Sequence, residues 1–128
     1  MFSPGDVVEM FSPVAGKKKY HLCLCISEGT GVHNFLFLNS NSGFKGDYIL
    51  DDGIVPGLPE SPTGETIVSF SQVVRMNLNR LTMYKAKRLN CISADLAGEL
   101  LHFARTTPAL SDIDKKLVVR ALELLSNS

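Results

Sequence analysis

The chain lacks a charge excess of either sign: in 128 residues, thirteen Lys and Arg stand against thirteen Asp and Glu. That balance excludes a polybasic nucleic-acid tail and an acidic disordered segment. Cysteine is scarce and odd in number, as Cys23, Cys25 and Cys91. Neighbours two apart on one strand lie about 7 Å from each other, beyond the roughly 4 Å between Cβ atoms of a disulfide. The three are therefore read as free thiols of a cytoplasmic protein. No apolar run approaches the roughly 18–20 residues of a membrane helix. The opening Met1-Phe2-Ser3-Pro4-Gly5-Asp6 has neither the basic nor the apolar region of a signal peptide. No Walker loop, GxGxxG, nucleophile elbow, HExxH or CxxC pair occurs, so kinase, dehydrogenase, serine-hydrolase and zinc-finger readings have no local support. What remains is one globular domain over 1–128, large enough to fold without disulfides or a structural metal.

The chain changes character near residue 92. Nine of its ten Gly and five of its six Pro precede that point, and short apolar runs lie between them. Val7–Phe11, Tyr20–Ser27, Asn34–Leu38, Tyr48–Leu50, Thr66–Phe70 and Val73–Met76 read as strands, with Leu81–Tyr84 as a last one. Pro56, Pro59 and Pro62 make the 51–64 segment a loop, since proline cannot join a central ladder. From Ser93 onward the period is helical. Ser93 is placed to cap a helix over Ala94–Arg105, with Leu96, Leu100, Phe103 and Ala104 on its apolar stripe. Ser111 is placed to cap a second, with Asp112 and Asp114 suiting its first turn and Ile113, Leu117, Ala121, Leu124 and Leu125 as its core stripe. The expected architecture is mainly β: a small barrel over 1–92 with two C-terminal helices over 93–128 packed on it.

The neutral total hides sorted charge. Between Gly46 and Val74 every charged residue is acidic: Asp47, Asp51, Asp52, Glu60 and Glu65. From there to Ala94 every one is basic: Arg75, Arg80, Lys85, Lys87 and Arg88. A second basic element, Lys17-Lys18-Lys19, precedes the Tyr20 strand. If the two basic elements meet on one face they form a phosphate-sized footprint; otherwise they are a solvated turn and ordinary surface.

Several landmarks recur in a fixed order. Pro4-Gly5-Asp6-Val7-Val8 sets a Gly-Asp before an apolar strand. Lys17-Lys18-Lys19 leads into Tyr20–Ser27, and Asn34–Leu38 runs into Asn39-Ser40-Asn41-Ser42-Gly43. Ile67–Phe70 continues as Ser71-Gln72-Val73-Val74-Arg75, followed by Leu81, Leu89, Ser93 and the helices. In this order and length the chain resembles the PemK/MazF family of toxin endoribonucleases, of the CcdB/PemK/Kid superfamily. The resemblance implies an SH3-like barrel of the CcdB/PemK type that usually forms a homodimer. It also implies cleavage of single-stranded RNA without metal or cofactor, and an antitoxin protein that covers the RNA site. Departures are specific. Lys19 or His21 stands nearest the family Arg, and Asn39 or Ser40 replaces the family Thr. Ser69 and Ser71 occupy positions where some members carry Arg and Asp, and Gln72 and Arg75 are separated by one residue more than in the family. These departures support a second reading, a barrel of the same fold that binds protein or nucleic acid without cleaving it.

Metal-free RNA cleavage needs a base for the 2′-OH, an acid for the leaving 5′-oxygen and a cation for the phosphorane. His21 is the candidate acid or base, Arg75 and Lys19 the phosphate clamps, and Ser40 a hydrogen-bond donor. His21, Arg75 and Ser40 thus form the expected catalytic set. Lys17, Lys18, Lys19, Asn39, Arg80 and Lys85 form the expected RNA-binding set. Each has a plainer alternative. His21 is expected to share one strand face with Cys23 and Cys25, as a partly buried ring bonded to backbone, with both cysteines in the core. Arg75 can pair with the acidic loop, and Ser40 can serve a turn. His21 and Cys25 lie about 13 Å apart along a strand, too far to share a metal ion. Phe35, Phe37, Phe44 and Tyr48 either stack on bases or fill the core.

Overall fold

The Tyr20–Ser27 run is apolar at nearly every position, the pattern of a strand covered on both faces. In the computed structural model, which describes residues 1–13, 15–39 and 46–128, it lies in the middle of the sheet. Among the described residues, strands β1 (Asp6–Ser12), β2 (Lys17–Ile26), β3 (His33–Asn39), β4 (Tyr48–Asp51), β5 (Glu65–Met76) and β6 (Lys87–Cys91) form one sheet. It is accompanied by helices α1 (Leu78–Met83), α2 (Ala94–Thr106) and α3 (Asp112–Ser126). The strand order is β4-β5-β3-β2-β1-β6, every pairing is antiparallel, and the sheet curls into a half-barrel. The expected small barrel with C-terminal helices is what forms. Ser40 and Phe44 lie outside the described residues.

Alternation along the strands sends side chains into two apolar layers. One, beneath α2 and α3, holds Leu22, Leu24, Leu36, Val68 and Phe70 against Leu100, Ala104, Val118 and Leu122. The other holds Val8, Met10, Cys23, Phe35 and Leu81. Phe35 and Phe70 are both fully buried, each stabilising the fold by roughly 1.5–3 kcal/mol relative to exposure. The expectation that His21, Cys23 and Cys25 share a face is overturned by a bulge. The register with β3 passes from Cys23↔Phe35 to Cys25↔Asn34, and Cys25 swings into the helix-side layer. Burial raises the Cys23 thiol to about 12, so it is protonated and inert.

Three element readings are corrected. Thr66–Phe70 and Val73–Met76 are one strand, β5, whose register against β3 jumps from Phe37↔Ser69 to Phe35↔Val74. The bulge thus formed leaves Ser71 and Gln72 exposed. Leu81–Tyr84 is not a strand. Asn77 caps α1 by accepting the Arg80 backbone N–H at 2.9 Å, and Leu81 is its buried anchor. The unforeseen strand is β6, whose exposed polar residues take extended form by pairing with β1. Both long helices begin at the expected caps, Ser93 accepting from Leu96 N–H and Ser111 from Asp114 N–H. The α3 stripe is rotated: Val118, Ala121 and Leu122 are buried, whereas Ile113 and Leu124 are 78 % and 64 % exposed.

The β4–β5 connection closes the half-barrel. Its base is tied by Asp52 N–H to Gly64 carbonyl at 3.0 Å, Ser61 N–H to Asp52 Oδ2 at 2.8 Å and Ser61 hydroxyl to Glu65 carbonyl at 2.8 Å. Val55 inserts into the helix-side layer. Beyond it the strap reaches from the β4 edge of the sheet to the β6 edge. At Gly57 (φ +86°) a Cβ would stand 2.9 Å from Asn90 Cβ and 3.1 Å from Leu89 Cβ. Glycine is required here for its backbone angle and for the close approach. Gly53 has a similar φ, +91°, with nothing within 4 Å of such a Cβ. Gly57→Ala is therefore expected to lower the unfolding free energy by more than Gly53→Ala does, the latter costing about 1–2 kcal/mol from backbone strain alone. Urea melts of the two variants measure the difference, and equal losses would mean that the strap does not press on β6.

Candidate nucleic-acid interface

Antiparallel pairing sets the start of β2 beside the end of β3, as in Tyr20↔Leu38, and the end of β3 beside the start of β5, as in Asn39↔Ile67. A groove of about 240 Å³ opens over this corner. One wall is Lys17, Lys18, Lys19, Tyr20, Leu38 and Asn39; the other is the strap, Leu58–Pro62, with buried Thr66 between them. The lysines belong to β2 itself, not to a turn before it. Lys18 Nζ pairs with Glu9 at 3.2 Å. Lys19 Nζ stands 5.7 Å from the centroid of the half-buried Phe37 ring, within cation–π range.

A second groove, of about 380 Å³, lies between the far end of β1 and the α1–β6 turn, lined by Glu9, Met10, Phe11, Lys18, Met83, Tyr84 and Lys85. The Phe11 N–H donates to the Tyr84 carbonyl at 2.9 Å, and Phe11 pairs with Lys18 across the strands. Lys18 and Lys85 therefore line one groove with Glu9: the two basic elements touch there through one residue each, while Arg75 and Arg88 are held by Asp114 and Asp6. Arg80 is exposed on α1. A third groove, beside Phe37 and Asn39, is lined by Ser69, Ser71 and Gln72, with the Ser69 and Ser71 hydroxyls 2.9 Å apart.

The expected catalytic set is not brought together. His21 is 5 % exposed and packs edge-on against Phe35 and Phe37 at 5.7 and 5.3 Å between centroids. Its buried Nδ1 has no hydrogen-bond partner, so the expected backbone bond does not form there. Burial, with a smaller contribution from the Lys19 ammonium, holds its pKa down at about 4. Arg75 lies on the other face. Its neighbours Val74 and Met76 belong to the layer opposite α2 and α3, and its own Nη2 donates to Asp114 Oδ1 on α3 at 2.8 Å. The partner is thus a helix carboxylate, not the acidic loop. Ser40, the third member, is outside the described residues. Among those residues no cluster of three His, Cys, Asp or Glu side chains is placed to hold a metal ion.

The strap residues Leu58–Pro62 lie outside the expected binding set. They belong to the acidic, proline-rich segment, which the order of charges alone leaves free either to cover the basic site or to pair with it. No family model matches the chain, and no curated protein matches it. No described helix is long and apolar enough to cross a membrane.

The buried His21 has a direct consequence for stability. Its pKa falls from 6.5 when unfolded to about 4 when folded, so between those values the unfolded chain binds more protons. Its contribution is therefore complete above pH 6.5 and is lost as pH falls toward 4, by roughly 3 kcal/mol at about 1.4 kcal/mol per pKa unit. His21→Phe is expected to flatten the pH dependence of the unfolding free energy over that window. An unchanged slope in urea melts from pH 6.5 to 4.5 would contradict the burial of a neutral ring.

Proposed function

We propose that the chain is a barrel that binds single-stranded RNA along Lys17–Lys19 and Asn39, and that His21 and Arg75 do not form a cleavage site. The observation that carries this reading is the groove between the lysine-led start of β2 and the strap, with its basic surface continued through Lys18 to Lys85. Cations in a row attract a phosphate chain irrespective of sequence. A groove that also offers Tyr20 and Leu38 suits unstacked bases better than a duplex. Cleavage through the expected set is disfavoured because His21, 5 % exposed, cannot reach a ribose hydroxyl, and Arg75 is engaged by Asp114 on the opposite sheet face. A cytoplasmic location accords with three free thiols.

The test is fluorescence anisotropy with a labelled single-stranded oligoribonucleotide at about 50–200 mM salt, the range over which counterion release is read. Binding is expected to weaken as salt rises. Joint substitution of Lys17, Lys18 and Lys19 by Ala is expected to lower affinity at least about tenfold and to flatten the log–log salt slope by about 2. Arg75→Ala is expected to leave affinity unchanged and to lower stability by about 0.2–1 kcal/mol, the worth of an exposed pair. Absent or salt-independent binding would overturn the reading. So would discrete fragments from a long RNA incubated in EDTA that vanish in the Arg75 variant, which would restore the endoribonuclease.

A further inference from the structure

The strap wall of the first groove carries a group that phosphate binding does not explain. Glu60 is exposed there, facing a groove lined by three lysines, yet among the described residues its carboxylate makes no salt bridge with any of them. A carboxylate repels phosphate. A polyanion in this groove is therefore oriented by the charges, its phosphates toward Lys17–Lys19 and its base edges, lying over Tyr20 and Leu38, toward the strap. Leu58 and Pro59, adjoining Glu60 on that wall, offer an apolar surface to a base face. The volume of about 240 Å³ is below the roughly 300–1,000 Å³ of drug-sized sites and suits a single base.

An ionised carboxylate only accepts hydrogen bonds, so it discriminates among bases by the donors on their edges. Guanine presents N1–H and N2–H side by side, matching both carboxylate oxygens. Cytosine and adenine each offer one exocyclic amine. Uracil sets its single N3–H between two carbonyl oxygens, which the carboxylate repels. Resting on the single-stranded RNA reading, we infer that Glu60 is a specificity-determining residue that makes the groove prefer guanine over the other bases. The strap is then a base reader as well as a cover, and the acidic loop has a role in recognition.

Four short oligouridylates, identical except for a central uridine, cytidine, adenosine or guanosine, test this by anisotropy. The native chain is expected to bind the guanosine oligomer about tenfold more tightly than the uridine one, the usual discrimination of a bidentate contact. Glu60→Gln is expected to abolish the preference by weakening the guanosine complex and tightening the uridine complex. Glu60→Ala, on an exposed position, checks that the loss follows the charge. Equal affinity for all four oligomers, or a preference that survives in both variants, would overturn the role of Glu60 and leave RNA binding standing. Failure to bind any of the four would overturn the RNA reading itself.

Discussion

The contact of the strap with the far edge of the sheet is the constraint on which the rest of the structure depends. A six-stranded sheet with β4 and β6 at its edges would otherwise leave its helix-side core open along one seam. Val55 fills that seam and Gly57 brings backbone against Leu89 and Asn90 at a distance that a side chain would prevent. The same crossing holds Leu58–Pro62 opposite the start of β2. Barrel closure and groove formation are therefore one event, and a change that loosens the seam also removes a wall of the proposed site.

Two-sided packing of the sheet decides which chemistry is available. Because α2 and α3 cover one face and α1 with the N-terminal residues covers part of the other, alternating residues of a single strand meet different surroundings. Arg75 is drawn to Asp114 on the helix side, while His21 lies under Phe37 on the opposite side. Two residues that look like partners in an acid–base site are separated by the sheet itself. What stays accessible is the charged corner, where Lys19 sits over an aromatic ring and Lys18 is shared by two grooves.

Much of the fold was legible in the residues. The β-rich body, the proline loop and the capped helices all followed from local signals strong enough to act alone, and Ser93 and Ser111 sit where their hydroxyls were expected. The misread parts depend on tertiary contacts. α1 is short, with one buried anchor in Leu81, so its period is too brief to stand out. β6 is polar and extended because β1 pairs with it. The Cys23–Cys25 bulge reverses the side of Cys25 with no marker in the sequence, and α3 is rotated because Val118 and Leu122, not Ile113 and Leu124, face α2. For the site, charge sorting pointed to the two basic elements that meet at Lys18 and Lys85. It left open whether the acidic loop covers the basic site or pairs with it, since the loop's placement across the groove arises from the closure of the seam.

Hydrogen exchange of backbone amides, with and without a guanosine-containing single-stranded oligoribonucleotide, tests most directly whether the groove formed by strap and β2 is the ligand surface. Slowed exchange at Lys17–Tyr20 together with Leu58, Glu60 and Ser61, leaving α2 and α3 unaffected, is the predicted result. Protection confined to α2 and α3, or protection at the lysines with none on the strap, would contradict the account.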